Sequence, residues 1–216
     1  MLYHDRIDAG HQLGQIIKDR QPSDPFVLGL PRGGVVVGFE VSQILGAPLD
    51  VLVARKLGAP FNPEFGFGAI APGAVYLDPY TVKYLDISDS EINEIIARER
   101  EELDRRVRVY REAEPEPDLA GRTALIVDDG LATGVTARAA ILSVRLRRPA
   151  RIILAVPVAP PETGPIFRVL VDDFICPAFR ADFHALSLWY ENFEQVTDEQ
   201  VSALLHKNKE LHHLEI

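Results

Sequence analysis

The chain has 216 residues, 47% of them hydrophobic and 25% charged, an ordinary globular composition with enough apolar material for one core and no second biased block. Its 32 acidic against 23 basic residues give a formal net charge of −9, which repels a nucleic-acid backbone, and the basic cluster Arg145, Arg147, Arg148 and Arg151 lacks interleaved aromatics, so we read it as a solvated helix end and expect no nucleic-acid partner. A lone cysteine excludes an internal disulfide, and neither a signal-type apolar core behind Met1–Arg6 nor a bilayer-length apolar stretch is present, so the expectation is a soluble protein of the reducing cytoplasm with no membrane partner.

Ile7, Leu13, Ile16 and Ile17 predict a helix over Asp5 to Arg20, ended by Gln21-Pro22-Ser23-Asp24-Pro25. Phe26 to Leu30 is a short apolar run that stops at Pro31-Arg32-Gly33-Gly34, and Val35 to Leu45 then reads as a buried helix closing at Gly46. Leu49 to Ala54 is a second strand, ending at Arg55-Lys56-Leu57-Gly58. From Ala59 to Asp78 the chain is rich in Gly, Pro and aromatics, with β-like pieces at Phe67 to Ile70 and Ala74 to Leu77, which predicts a hairpin or flexible excursion within about 57–88. Ser88 with Glu91 forms a capping-box pattern before a long helix whose apolar face is Ile92, Ile95, Ile96, Leu103, Val107 and Tyr110. After the linker Glu114-Pro115-Glu116-Pro117-Asp118, a third strand runs from Thr123 to Val127. A helix from about Gly134 to Leu146, a strand from Arg151 to Val158, a helix start at Pro160-Pro161 and a strand near Val169 to Cys176 follow, with Cys176 packing as a small hydrophobe. Strands alternating with helices imply an α/β fold with a mostly parallel sheet flanked by helices.

In Ala124-Leu125-Ile126-Val127-Asp128-Asp129-Gly130-Leu131-Ala132-Thr133-Gly134-Val135-Thr136 an apolar strand runs into two acids, a small-residue turn and a helix. Such a loop lies at the carboxyl end of a parallel strand, where open α/β sheets bind ligands, and the free amides opening the next helix receive an anion, a phosphate above all. Gly130 and Gly134 permit close approach, and Thr133 and Thr136 add hydroxyl donors. Asp128 and Asp129 would repel that phosphate if they faced it, so they are expected to face neutral hydroxyls or a cation beside it. A ribose 5-phosphate has that geometry. Leu30-Pro31-Arg32-Gly33-Gly34 also ends a strand and opens a helix, so its amides and Arg32 suit a second anion; by itself Pro-Arg-Gly-Gly is an ordinary tight turn.

The run Asp-Asp-x-x-x-Thr-Gly-x-Thr formed by Asp128 to Thr136 resembles the 5-phosphoribosyl 1-diphosphate signature of the type I phosphoribosyltransferases, and the resemblance spans roughly Phe26 to Cys176. It implies the type I phosphoribosyltransferase fold over 1–216 as a single domain, with the flexible loop or hairpin at about 57–88 and a C-terminal hood or tail at about 177–216. It further implies magnesium-dependent transfer of 5-phosphoribosyl (PRPP as donor) to a nitrogenous base with loss of pyrophosphate, a pentosyl glycosyltransferase reaction of nucleotide salvage. On this resemblance Asp128 and Asp129 contact the ribose hydroxyls directly or through Mg2+, while Gly130, Leu131, Ala132, Thr133, Gly134 and Thr136 hold the 5-phosphate. Arg32, Gly33 and Gly34 form the pyrophosphate loop, and Arg55 and Lys56 bind the donor, Lys56 matching the basic residue that meets the diphosphate and Arg55 having a surface pairing as its alternative; Asp128, Asp129, Lys56 and Arg32 carry the chemistry. An aromatic of the hood can stack on the acceptor, which makes Trp189 and Tyr190 candidates against the commoner role of such residues as core. Glu64 is a lesser candidate for an acceptor contact.

Ala132 stands where hypoxanthine and guanine enzymes of the family carry an aspartate, which argues against a 6-oxopurine acceptor. Trp189-Tyr190-Glu191-Asn192-Phe193 and Gln195-Val196-Thr197-Asp198 resemble uncharacterised bacterial members. A homodimer is implied by the family alone. The competing reading is a non-catalytic sensor of PRPP or a nucleotide on the same fold; Arg32 and Lys56 favour catalysis, because a sensor need not hold a leaving group. Hydrolase and nucleotide-hydrolysing readings lack a Gly-x-Ser-x-Gly elbow and a Gly-x-x-x-x-Gly-Lys-Ser/Thr loop. His212 and His213 have no accompanying ligand set and read as surface residues.

Overall fold

The computed structural model describes residues 2–112 and 114–213, the side chains of Glu64 and His213 excepted. Asp5 accepts from the Asp8 amide and caps α1 (Arg6–Asp19). β1 (Pro25–Gly29) leads to α2 (Gly33–Leu45), which ends on Gly46 in the left-handed region at φ 59°. The two helices pack closely because α1 presents glycines: a Cβ on Gly10 would meet Val37 O at 2.8 Å, and one on Gly14 would meet Ile44 Cδ1 at 2.7 Å. β2 (Leu49–Val51) follows, then β3 (Arg55–Ala59), β4 (Asn62–Ala71) and β5 (Ala74–Leu77). Next come α3 (Pro79–Tyr84) and the long α4 (Asp89–Arg111), whose Ser88–Glu91 capping box forms in full.

β6 (Thr123–Val127) leads to α5 (Val135–Leu146), β7 (Arg151–Ala155), β8 (Val158–Ala159) and α6 (Thr163–Arg168). The chain closes with β9 (Asp173–Ile175), β10 (Ala178–Phe179), a 3-10 turn at Leu186–Trp189 and α7 (Asp198–His213). Among the described residues no helix is long and apolar enough to cross a membrane.

Five strands form a parallel sheet in the order β2-β1-β6-β7-β9. β6 lies at its centre and is buried throughout, its side chains alternating between two cores. Leu125 and Val127 join Leu13 and Ile17 of α1, Val37 of α2 and Leu205 of α7, whereas Ala124 and Ile126 join Ala140, Ile141 and Val144 of α5 and Phe167 of α6. The α/β class and the parallel sheet covered on both faces therefore agree with the sequence reading. β3, β4 and β5 form a separate antiparallel sheet, and β10 pairs with β8.

Four local expectations are corrected. Arg55 to Gly58 is not a loop closing the second strand: it pairs antiparallel with β4, and the parallel strand stops at Val51. The run from Val169 yields a strand only at Asp173–Ile175, because Leu170 and Val171 donate back to Phe167 O and leave Val169 exposed at the end of α6. The strand read from Arg151 to Val158 is broken between Ala155 and Val158, where Pro157 has no amide to donate. Nor is Arg147 solvated; its side chain is 11% exposed, 3.2 Å from Glu116 beside the buried Arg111, and burial lowers its pKa.

Since Leu125 and Ile126 are both fully buried on opposite faces of the central strand, truncating either to alanine is expected to cost about 2–5 kcal/mol of stability, measured as a lower urea midpoint with an unchanged slope.

Candidate functional site

β1 and β6 are in parallel register with Gly29 opposite Val127, and the Leu30 amide donates to Val127 O at 2.8 Å. Both strands thus end at the same level. β1 continues through α2 to β2 on one side, and β6 continues through α5 to β7 on the other. The point where connections diverge at the carboxyl ends of parallel strands opens a crevice, and here it receives Pro31-Arg32-Gly33-Gly34 from β1 and Asp128-Asp129 from β6.

The two loops touch so closely that side chains are excluded. A Cβ on Gly33 would lie 1.9 Å from Asp129 Oδ2, and one on Gly34 would lie 2.7 Å from Val127 O and 2.8 Å from the Asp128 Cα. The cleft beside them has a volume of about 370 Å³ and is lined on the loop side by Pro31, Arg32, Gly33, Asp128 and Asp129. Its other wall is Arg6, at the start of α1, and the extended segment Phe193 to Val196. The Pro31–Arg32 peptide is cis.

Two uncapped helix N-termini flank the acid pair. Neither Arg32 at the start of α2 nor Gly134 at the start of α5 supplies a side-chain cap, and neither first turn holds an acid. Their amides and positive dipole ends are therefore open to anions. The α5 loop is pinned from below: Leu131 is buried and its amide donates to Val158 O at 3.0 Å, and Gly134, at φ 74°, sits where a Cβ would meet the Phe167 ring at 2.5 Å. Ala132 and Thr133 stay exposed above it, Thr136 half-buried behind them.

Asp129 accepts from Arg6 Nε at 2.7 Å through Oδ2, with both side chains 12% exposed, and its carbonyl accepts from Tyr190 OH. Asp128 Oδ1 accepts from the Asp129 amide at 2.9 Å. Burial, and after it the charge of Asp129, hold the Asp128 carboxyl well above the usual carboxylate range. Among the described residues no set of three or more His, Cys, Asp and Glu is placed to hold a metal ion. Two adjacent carboxylates with incompletely offset charge nonetheless suit Mg2+, a hard ion commonly held by one or two carboxylates while substrate oxygens and water complete its shell.

The remaining candidates divide. Arg32 is half-buried with Nη1 3.8 Å from Asp198 Oδ1, which also accepts from Tyr110 OH at 2.6 Å. Lys56 is exposed on β3, its stem crossing Gly66 where a Cβ would lie 2.9 Å from Lys56 Cγ and Cδ and 3.7 Å from Val135 Cγ2, so it runs beside the start of α5. Arg55 is turned to Glu99 of α4, bonded through Nε at 3.0 Å and through Nη2, and does not line the cleft. Tyr190 is no stacking platform: it is 2% exposed, packed on Tyr3 and Phe193 with centroids at 5.6 and 5.1 Å, and burial raises its pKa. Trp189 is half-buried, stacked on Phe183 at 6.3 Å with Arg180 over its ring, while Leu186 of the same turn covers Gly130. Cys176 is partly buried, and burial pushes its thiol up to about 12. The side chains of Glu64 and His213 lie outside the described residues.

Sequence reading missed Arg6, because nothing local marks an arginine at the start of an amphipathic helix. The one available signal was its position, since a cation in the first turn opposes the helix dipole.

Asp128 binds a proton more readily folded than unfolded, so its ionisation penalises the ligand-free fold as pH rises from the usual carboxylate range through its raised folded value. Asp128→Asn is expected to raise the melting temperature of the ligand-free protein at neutral pH. The gain should vanish in acid, where the wild-type carboxyl is already neutral; a scanning-calorimetry series from pH 4 to 8, about the range where such a shift acts, measures it.

A family model described as phosphoribosyl transferase domain matches residues 3–165, which include the acid pair, both loops and Arg6. Two Mycobacterium tuberculosis proteins, named Putative phosphoribosyl transferase MT0597 and Rv0571c, are 42% identical over 205 residues, or 94% of this chain. The chain spans 46% of the length of each. The crystal structure of TT1426 from Thermus thermophilus superposes with a TM-score of 0.81 at 40% identity, covering 96% of this chain and 99% of that one. With a family model spanning most of the chain and a relative of this identity along nearly all of it, the chain belongs to the phosphoribosyl transferase domain family.

Proposed function

We propose that the cleft binds 5-phosphoribosyl 1-diphosphate with Mg2+ and transfers its phosphoribosyl group to a nitrogenous base, and that residues 1–216 act in this as one domain. The observation that carries the reading is the spacing of charge: two helix N-termini open to anions, with an acid pair between them. A substrate with a phosphate at one end, a diphosphate at the other and a diol between has the complementary pattern.

In this reading the amides and hydroxyls of Gly130, Leu131, Ala132, Thr133, Gly134 and Thr136 hold the 5-phosphate. Asp128 and Asp129 accept hydrogen bonds from the ribose 2- and 3-hydroxyls, and they hold Mg2+, which when bound offsets diphosphate charge and steadies the leaving group. Arg32, Gly33, Gly34 and Lys56 receive the diphosphate. The bond from the anomeric carbon to the diphosphate oxygen breaks, pyrophosphate leaves with the electron pair, and the base nitrogen bonds to that carbon and loses its proton to solvent. Positive charge develops on the ribose in the transition state, and the adjacent carboxylates stabilise it there. The segment Phe193 to Val196 keeps water from the cleft. Trp189 is the remaining aromatic candidate for the acceptor side. A reducing cytoplasm, a role in nucleotide salvage, a homodimer and no nucleic-acid partner complete the proposal.

Pyrophosphate release from 5-phosphoribosyl 1-diphosphate and Mg2+, scanned over purine and pyrimidine bases alongside calorimetry, tests it. Base-dependent release is expected. Binding without release from any base favours a sensor, and no binding rejects the assignment. Asp128→Asn with Asp129→Asn is expected to weaken Mg2+-dependent binding at least about 100-fold, since each charge-assisted hydrogen bond contributes about 1.5–3 kcal/mol, with the fold retained by circular dichroism.

A further inference from the structure

Arg6 makes three different contacts with one guanidinium. Nε donates to Asp129 Oδ2 at 2.7 Å, Nη1 donates to Glu194 O at 2.8 Å, and the flat face lies 3.7 Å from the centroid of Phe193. Asp129 belongs to the loop after β6, whereas Phe193 and Glu194 belong to the segment that forms the opposite wall of the cleft. One side chain therefore joins both walls.

Its surroundings point away from a surface role. At 12% exposure the guanidinium has given up most of its water, which is costly unless every contact is satisfied. It stands at the first position of α1, where the helix dipole favours an anion. The position is rigidly supplied: α1 is pressed onto α2 through Gly10 and Gly14, and α2 starts at Gly33, itself against Asp129 and Arg6 Nε. The opposite wall is tethered at its ends, with Glu191 and Asn192 donating to Tyr3 O and His4 O, and Asp198 accepting from Tyr110. Between them Arg6 contacts Phe193 and Glu194, while Phe193 also packs on Tyr190 and Val196 on the core.

Resting on the phosphoribosyl reading of the cleft, we infer that Arg6 is a positioning residue: it fixes the Asp129 carboxylate through Oδ2 and lays Phe193 and Glu194 across the same cleft. A planar fork that also stacks is needed for all three contacts; lysine supplies the charge alone.

Two measurements test it on the full chain, with melting curves confirming that each variant folds. In limited proteolysis without ligand, using a glutamate-specific protease, Arg6→Met is expected to raise cleavage after Glu191 and Glu194 at least about 10-fold, and Arg6→Lys not to restore protection. In calorimetry with 5-phosphoribosyl 1-diphosphate and Mg2+, Arg6→Met is expected to weaken binding about 10-fold or more, Arg6→Lys to recover part of it, and the Arg6→Met effect to shrink below about 3-fold in an Asp129→Asn background. A role confined to stability would leave the two substitutions additive, and that result overturns the inference, as does unchanged cleavage after Glu191 and Glu194. If Arg6→Met does not fold, Gly33→Ala serves in the proteolysis alone, because its Cβ would lie 1.9 Å from Asp129 Oδ2 and 2.6 Å from Arg6 Nε. Should the wild-type protein bind no 5-phosphoribosyl 1-diphosphate, the ligand reading falls by itself, and the cleavage rates still decide whether Arg6 holds the wall.

Discussion

The register of β1 against β6 is the constraint on which the site depends. With Gly29 opposite Val127 and Leu30 bonded to Val127 O, the two loops leave the sheet at one height and meet through Gly33 and Gly34. A one-residue slip would exchange the two faces of β6, sending Leu125 and Ile126 into each other's cores. The hydrophobic pattern of a single five-residue strand thus fixes the position of Asp128 and Asp129 relative to Arg32.

That convergence leaves the cleft electrostatically unfinished. Two carboxylates are adjacent, Asp129 buried and Asp128 half-buried; the first is met by Arg6, and the other is held well above its ordinary pKa. The neighbouring helix ends hold no acid in their own first turns and no side-chain cap, although α2 begins against the acid pair. A structure selected only for stability would neutralise each feature locally, whereas binding sites commonly keep such groups at some cost in stability. Arg6 is the exception that makes the rest tolerable, since it compensates Asp129 while closing the far wall.

Much of this was legible in the residues. The capping box at Ser88, the alternation of strands and helices, and the strand-acid-glycine-helix order of Ala124 to Thr136 are local signals, and the structure realises each. Reading failed where a residue's fate is set by a distant partner. Arg55 is bound by Glu99, Arg147 is buried beside Arg111 and Glu116, and Tyr190 is claimed by Tyr3, Phe193 and Asp129 O. Apart from Phe193, none of those partners is near in sequence.

What the sequence alone determined is most of the elements and the residue types each loop carries, because periodicity, caps and turn residues act over a few positions and hydrophobic burial follows from them. Only the tertiary structure decided which charged groups meet. Arg6 and Asp129 are separated by 123 positions and lie 2.7 Å apart; that pairing depends on the close α1–α2 contact and the β1–β6 register together, and long-range packing of this kind leaves no mark in any local stretch of the chain.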